Sequence, residues 1–243
     1  MKKIITVMVL GLSLFSARAQ NEKNLVVDAN AEVRNVSSFS AIEVSGAIDL
    51  FISQGTVEAV AVSAGSDEIR SRIRTEIKGS TLRIYMDGRG LNWKLWGNNK
   101  MKAYVTFKTL TGMEASGACN VKATGVIKQH ELKIEMSGAS DFTGEVAVGK
   151  LKLDASGASN IKIAGKAEST TMDASGACNI KGYDLVTDIC KIEASGASNI
   201  RVTVNKELDA EASGGSSVFY KGSGLIRDIS ASGGASVKHK TDD

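Results

Sequence analysis

From residue 113 to residue 238 apolar and polar side chains alternate with period two, and the alternation is broken at near-regular intervals by the dipeptide Ser-Gly. The glycines of that dipeptide are Gly117, Gly138, Gly157, Gly176, Gly196, Gly214 and Gly233, at steps of 21, 19, 19, 20, 18 and 19 residues. An eighth copy stands alone at Gly46. The wording is nearly fixed: EASGACNVK, EMSGASDFT, DASGASNIK, DASGACNIK, EASGASNIR, EASGGSSVF and SASGGASVK, with EVSGAIDLF upstream. Successive side chains of a strand point to opposite faces. Met113, Ile134, Leu153, Met172, Ile192, Ala210 and Ile229, four residues before each glycine, therefore point inward. Glu114, Glu135, Asp154, Asp173, Glu193, Glu211 and Ser230, one position later, point out. After the glycine, Cys119, Ser140, Ser159, Cys178, Ser198, Ser216 and Ala235 face inward, followed by Val121, Phe142, Ile161, Ile180, Ile200, Val218 and Val237. Asn120, Asp141, Asn160, Asn179 and Asn199 face out or shape the turn.

Each unit thus reads as two short strands broken by a Ser-Gly bend, where glycine allows a backbone that a Cβ would obstruct. A unit of this size cannot bury its own apolar face, so units must stack as parallel strands about 4.8 Å apart. The fold class is all-β: a parallel β-helix, or solenoid, with about 19-residue coils in the C-terminal half. Parallel crossovers are almost always right-handed, and a variable step fits the left-handed hexapeptide form poorly, so a right-handed helix of two main sheets is expected.

Upstream, Phe39 to Ser45, Leu50 to Ser53 and Val57 to Val62 alternate like strands, and IRTEIKGSTLRIYM reads as a hairpin turning at Lys78-Gly79. Ser66-Asp67-Glu68 can open a single helical turn. A loop, GRGLNWKLWGNN, holds both tryptophans and precedes a strand from Lys102 to Phe107. This β-rich segment is expected to cap the solenoid, whose open end would expose unpaired strand edges.

Residues 1–19 read as a secretory signal: Lys2-Lys3, an apolar stretch from Ile4 to Phe15, and Ala17-Arg18-Ala19 before Gln20. The stretch is too short for a permanent membrane anchor, no cysteine follows the cleavage site, and no later segment has the length of a transmembrane helix. The expected organisation is a signal peptide over 1–19, a leader over 20–35 and one domain over 36–243. That domain divides into residues 36–112, with the hairpin and tryptophan loop, and residues 113–238, with the repeated coils. The product is expected to be exported to the periplasm, the outer-membrane surface or the exterior, and to be soluble or peripherally bound.

Composition agrees with stacked strands and tight turns: 42% apolar, 5% aromatic, no proline and 25 glycines. Lys2, Lys3 and Arg18 account for the formal charge of +3, so the rest of the chain is balanced and offers no global field toward nucleic acid or anionic lipid.

Candidate chemistry is sparse. The outward carboxylates would lie about 4.8 Å apart in successive coils, a separation compatible with Ca²⁺ at Asp154 and Asp173 or with retaining glycosidase chemistry. Lys133, Lys152 and Lys191 precede Glu135, Asp154 and Glu193 by two residues on the same face, so a neutralised, solvated salt-bridge face outweighs both. His130 and His239 lack partner motifs, and no phosphate-loop wording occurs, so neither a catalytic residue nor a cofactor is assigned. The repeated serine is a turn former. Cys119 and Cys178 occupy one inward column three coils apart, about 14 Å, and Cys190 lies on another strand, so no disulfide is expected. Trp93 and Trp96, with Lys94 between them, read two ways: a ligand-binding loop or a cap on the core.

The SGASNI and SGACNI repeats, the IKGSTLRIYM segment and the Lys/Trp loop before a KAYVTF strand resemble the putative auto-transporter adhesin, head GIN-domain family of Bacteroidetes-type secreted proteins, over about residues 36–240. The resemblance implies a right-handed β-helix akin to pectin-lyase-like folds, cell-surface adhesion, trimeric assembly and no established catalytic site. The chain lacks a translocator segment such as a self-sufficient autotransporter carries. The expected function is a non-catalytic exported binding module whose partner is a cell-surface glycan or protein, with self-association along a solenoid face. The alternative is a polysaccharide lyase or hydrolase using the acidic row, disfavoured because an active site breaks repetition at one coil and these repeats are nearly uniform.

Overall fold

The computed structural model describes residues 28–89 and 100–241. Sixteen strands and one short helix follow in chain order. The N-terminal part holds β1 (Glu32–Arg34), β2 (Ala41–Gly46), β3 (Ile48–Gln54), β4 (Ala59–Ser63), α1 (Asp67–Arg72), β5 (Ile73–Lys78), β6 (Thr81–Met86) and β7 (Met101–Phe107). The repeats supply β8 (Gly112–Gly117), β9 (Asn120–Met136), β10 (Asp141–Ala155), β11 (Asn160–Ala174), β12 (Asn179–Ala194) and β13 (Asn199–Ala212). The last coils hold β14 (Ser217–Lys221), β15 (Leu225–Ala231) and β16 (Ser236–His239). Together they form a parallel β-solenoid of about 7 turns.

The repeat fixes the register. Leu153 pairs with Met172, Met172 with Ile192 and Ile192 with Ala210, so each apolar position stacks on its copy in the next coil. The columns are fully buried as far as Ala210, and each large aliphatic side chain removed from water contributes about 1.5–3 kcal/mol. Ile229 departs from the expected inward burial. It is only half-buried, and Leu225 and Ile226 beside it are exposed, because among the described residues no coil covers that side of β15.

Each repeat differs from two short strands in one respect. From β9 to β13 the chain pairs as one bent strand running from the Asn or Asp after a Ser-Gly corner to the Ala or Met before the next. The ladder is accordingly one continuous sixteen-stranded sheet and not two main sheets. In β11 the buried residues fall into three groups, Ile161 and Ile163, then Ala167, then Thr170, Met172 and Ala174, so the bends lie between them. Register shifts at Thr143/Glu145, Lys162/Gly165 and Gly182/Val186 absorb the unequal coil lengths.

The isolated Ser-Gly at Gly46 is a rung of the same stack. The N–H of Ala118 donates to the carbonyl of Gly46 at 2.8 Å, and β2 pairs in parallel with β8 residue for residue. The intervening chain folds back to the other side of that coil: β6 pairs with β2, and β7 with β3. Antiparallel strands close this end, β5 on β6, β4 on β7, and β1 on β4. The expected cap, the hairpin at Lys78-Gly79 and the helical turn after Ser66 are all present, Ser66 Oγ accepting from Ile69 N–H at 3.3 Å. Glu32–Arg34, within the segment read as a leader, supplies the outermost cap strand.

At the corners the Cys/Ser alternation has a simple cause. Ser159 and Ser216 donate to the carbonyls of Ser156 and Ser213 at 2.8 and 2.7 Å, while Cys119 and Cys178 donate to those of Ser116 and Ser175 at 3.3 and 3.1 Å. A thiol replaces a hydroxyl in the same role. All three cysteines are free and buried.

Candidate functional site

Strand register sorts the outward side chains into columns along the solenoid axis, and two of them repeat one sign of charge over several coils. The first is the acidic row. Glu43, Glu114, Glu135, Asp154, Asp173, Glu193 and Glu211 pair in direct succession. Lysines bridge them across coils: Lys133 Nζ lies 2.8 Å from Glu135 and 3.4 Å from Asp154, and Lys152 Nζ lies 3.3 Å from Asp154 and 3.4 Å from Asp173. Lys191 holds Glu193 at 2.8 Å, and Arg83 holds Glu43 at 2.8 Å. Two carboxyls show the cost of like charges in line. Burial, with Glu43 and Glu135 on either side, pushes Glu114 above the usual carboxylate range, and no lysine stands on its coil, where Gly112 takes that register position. Burial and a hydrogen bond with Asp154 likewise raise Asp173.

Shallow grooves of about 350 and 230 Å³ run between this row and the serines of the corners, lined by Asp173, Glu193, Glu211 and Ser195 in one case and by Glu114, Glu135, Asp154 and Ser156 in the other. The oxygens of Asp154 and Asp173, considered for Ca²⁺, face lysine ammonium groups. Among the described residues no three His, Cys, Asp or Glu side chains are arranged to hold a metal ion. His130 is exposed beside Glu131, and His239 packs on Tyr220. Trp93, Trp96 and Lys94 lie outside the described residues.

The second column was not singled out from the sequence. Five residues after each repeated glycine stand Phe51, Lys122, Thr143, Lys162, Lys181, Arg201, Phe219 and Lys238. They pair in direct register, and Tyr104 continues the column beyond Phe51. Lys122, Lys162 and Lys181 are exposed and, among the described residues, have no ion-pair partner. Beside the cations runs a column of Asn120, Asp141, Asn160, Asn179 and Asn199, in which Asn160 donates to Asp141 at 2.8 Å and Asn179 accepts from Arg201 at 3.1 Å. Aromatic rings flank the stretch from Lys122 to Arg201, with Lys238 beyond Phe219. Phe51 stacks on Tyr104 with centroids 5.3 Å apart, and Phe219 lies under the Arg201 guanidinium at 5.9 Å and the Lys240 ammonium at 5.6 Å. The signal was present in the last letter of each quoted repeat, K, T, K, K, R, F and K, but the balanced charge of the chain after residue 19 averages it away.

Residues 38–224 match the family described as Putative auto-transporter adhesin, head GIN domain. Among solved structures, a putative adhesin from Bacteroides fragilis is similar over 86% of this chain and 96% of that one, with 23% identity and a TM-score of 0.81. A putative lipid binding protein from Parabacteroides distasonis has 20% identity and a TM-score of 0.63, covering 88% of this chain and 98% of its own. A putative adhesin from Parabacteroides merdae has 20% identity and a TM-score of 0.62, over 87% of this chain and 95% of its own. At these identities the likeness is one of fold. No curated protein matches the sequence. Among the described residues no helix is long and apolar enough to cross a membrane.

Proposed function

The chain belongs to the family described as putative auto-transporter adhesin, head GIN domain, and from that premise we propose that it is a non-catalytic binding module. On this reading it is exported to the periplasm, the outer-membrane surface or the exterior, and holds a cell-surface glycan or protein against the side of its solenoid. The observation that supports this most is the uniformity of the outward columns. Each coil presents nearly the same side chains as the last, and a surface that repeats along an axis complements an extended or repeating partner. Cleavage instead calls for one place where acid, base and binding groups converge. The acidic row is repetitive and lysine-bridged over most of its length, so a lyase or hydrolase using it is not supported.

The residues Trp93, Trp96 and Lys94 remain part of the proposal as an additional contact or as a cap. The test is a glycan array probed with the purified chain, followed by chromatography of any bound polymer. Retention with unchanged polymer length is expected. Shortening of the polymer overturns the reading.

A further inference from the structure

We propose that the Lys/Arg column and the Asn column beside it form a binding face for a linear anionic glycan, a polysaccharide carrying carboxylate or sulfate groups along its length. This rests on the reading of the chain as a non-catalytic binding module and names the partner's chemistry.

The first reason is what the column costs the fold. Lys162, Lys181 and Arg201 are direct cross-strand neighbours in three consecutive coils. Like charges placed so are destabilising. The acidic row meets the same difficulty by interleaving Lys133, Lys152 and Lys191, each against a carboxylate. The basic column does not. Two positions to one side of Lys162, Lys181 and Arg201 stand Asn160, Asn179 and Asn199, and two positions to the other stand Ala164, Tyr183 and Thr203. The carboxylates Asp141 and Glu145 flank Thr143, the rung with no cation. The three cationic rungs are therefore left for something outside the chain to neutralise.

The second reason is the fit of the neighbours to a sugar polymer. Exposed ammonium and guanidinium groups recognise carboxylate and sulfate oxygens by charge-assisted hydrogen bonds. Carboxamides at the same height supply both donors and acceptors for hydroxyl groups. Phe219 on one side and Phe51 with Tyr104 on the other add half-buried aromatic rings of the kind that pack against sugars. A single-stranded nucleic acid would ask for aromatic platforms interleaved with the cations. Here Phe51 and Phe219 stand on either side of the cations Lys122 to Arg201, and among the described residues the one ring beside the central cations, Tyr183, lies under the Lys221 ammonium at 5.3 Å. A lipid surface would ask for apolar side chains that enter it beside the basic ones. The middle of this face has carboxamides in their place.

The experiment measures binding of the purified chain to polygalacturonate, to dextran sulfate and to uncharged dextran at low and high salt. Two pairs of variants carry the same change in charge: Lys162→Glu with Lys181→Glu on the face, and Lys128→Glu with Lys166→Glu away from it. Saturable binding to an anionic polymer that weakens with salt, falls at least tenfold in the face variant and stays within twofold in the control supports the proposal. The neutral pair Lys162→Gln with Lys181→Gln is expected to lose binding while its melting midpoint holds or rises, since it removes only repulsion. Equal loss in face and control variants overturns it, because net charge alone would then be responsible. Tighter binding to an oligo-thymidylate or to phosphatidylglycerol vesicles than to either anionic glycan also overturns it, in favour of that other class. Undiminished glycan binding in the face variants refutes this face and leaves the adhesion reading standing, whereas cleavage of the polymer refutes that reading itself.

Discussion

Replacing Gly157 by alanine tests the stacked corners on which the whole register depends. Gly157 has φ +72°, and a Cβ built on it lies 2.4 Å from the carbonyl oxygen of Gly138, 3.1 Å from its nitrogen and 3.2 Å from its carbonyl carbon. The left-handed conformation costs a non-glycine residue about 1–2 kcal/mol. The collision adds to this, because the Gly138 carbonyl is the acceptor for Ala158 N–H at 2.7 Å and cannot retreat without stretching that bond. A backbone hydrogen bond is worth about 1 kcal/mol net, and leaving its partner unsatisfied costs about 1–3 kcal/mol. The total is about 2–5 kcal/mol. At about 2–4 °C per kcal/mol for a domain of this size, the melting midpoint should fall by roughly 4–20 °C. Gly125→Ala is the control: its φ is +76° but nothing lies within 4 Å of the added carbon, so it bears the conformational cost alone. Gly233→Ala, whose Cβ would meet the Gly214 carbonyl oxygen at 3.1 Å, tight but less severe than 2.4 Å, should fall between the two. Thermal unfolding followed by circular dichroism gives the three midpoints. Equal losses at Gly157 and Gly125 would refute the stacked-corner argument and leave backbone conformation as the whole effect.

Other outcomes follow from the same geometry. Cys119, Cys178 and Cys190 should be silent to a thiol reagent in the native protein and all three reactive after denaturation, since each is buried and burial pushes the Cys190 thiol up to about 12; a mapped Cys119–Cys178 disulfide would contradict the coil count. Glu114→Gln should raise the melting midpoint slightly at neutral pH. Because the folded-state pKa of Glu114 is raised, its ionised form opposes folding above that pKa, and the gain should vanish as pH falls below the ordinary carboxylate range near 4.5. A midpoint that falls at neutral pH would show that Glu114 is held by a favourable partner. Asp154→Asn and Asp173→Asn should leave partner binding intact; cleavage of a uronic-acid polymer by the parent that either variant abolishes would establish an enzyme. Trp93→Ala and Trp96→Ala should separate the two readings of their loop, lowering stability alone if it caps the core and weakening binding at constant midpoint if it is a contact.

The repeated half of the fold was legible because its hydrogen-bond register and its sequence repeat are the same periodicity, so that aligning EASGASNIR under DASGACNIK already places Ile200 on Ile180 and Glu193 on Asp173. The N-terminal half was legible as elements but not as an order. Nothing local in β6 or β7 says that they stack outside β2 and β3, since those pairings join residues some forty to fifty positions apart in the chain and are chosen by which apolar edge remains uncovered. The bends within each long strand were missed for a related reason: β11 keeps a hydrogen-bond ladder through its corners, so Gly165, whose φ of +110° marks the first of them, interrupts no pairing that would divide the strand in two. The charged columns show where the same alignment could be read further. A column of acids was found and explained by lysines two residues away, which is the inexpensive arrangement for a solvated solenoid face. The column five residues after each glycine lacks that compensation, and only the register, by placing Lys162, Lys181 and Arg201 directly against one another, turns an unremarkable set of surface cations into an uncompensated line. In a repeat protein the structural positions recur because stacking demands them, so a recurring side chain that stacking opposes needs another cause, and the nearest one in physical terms is a partner that supplies the missing charge.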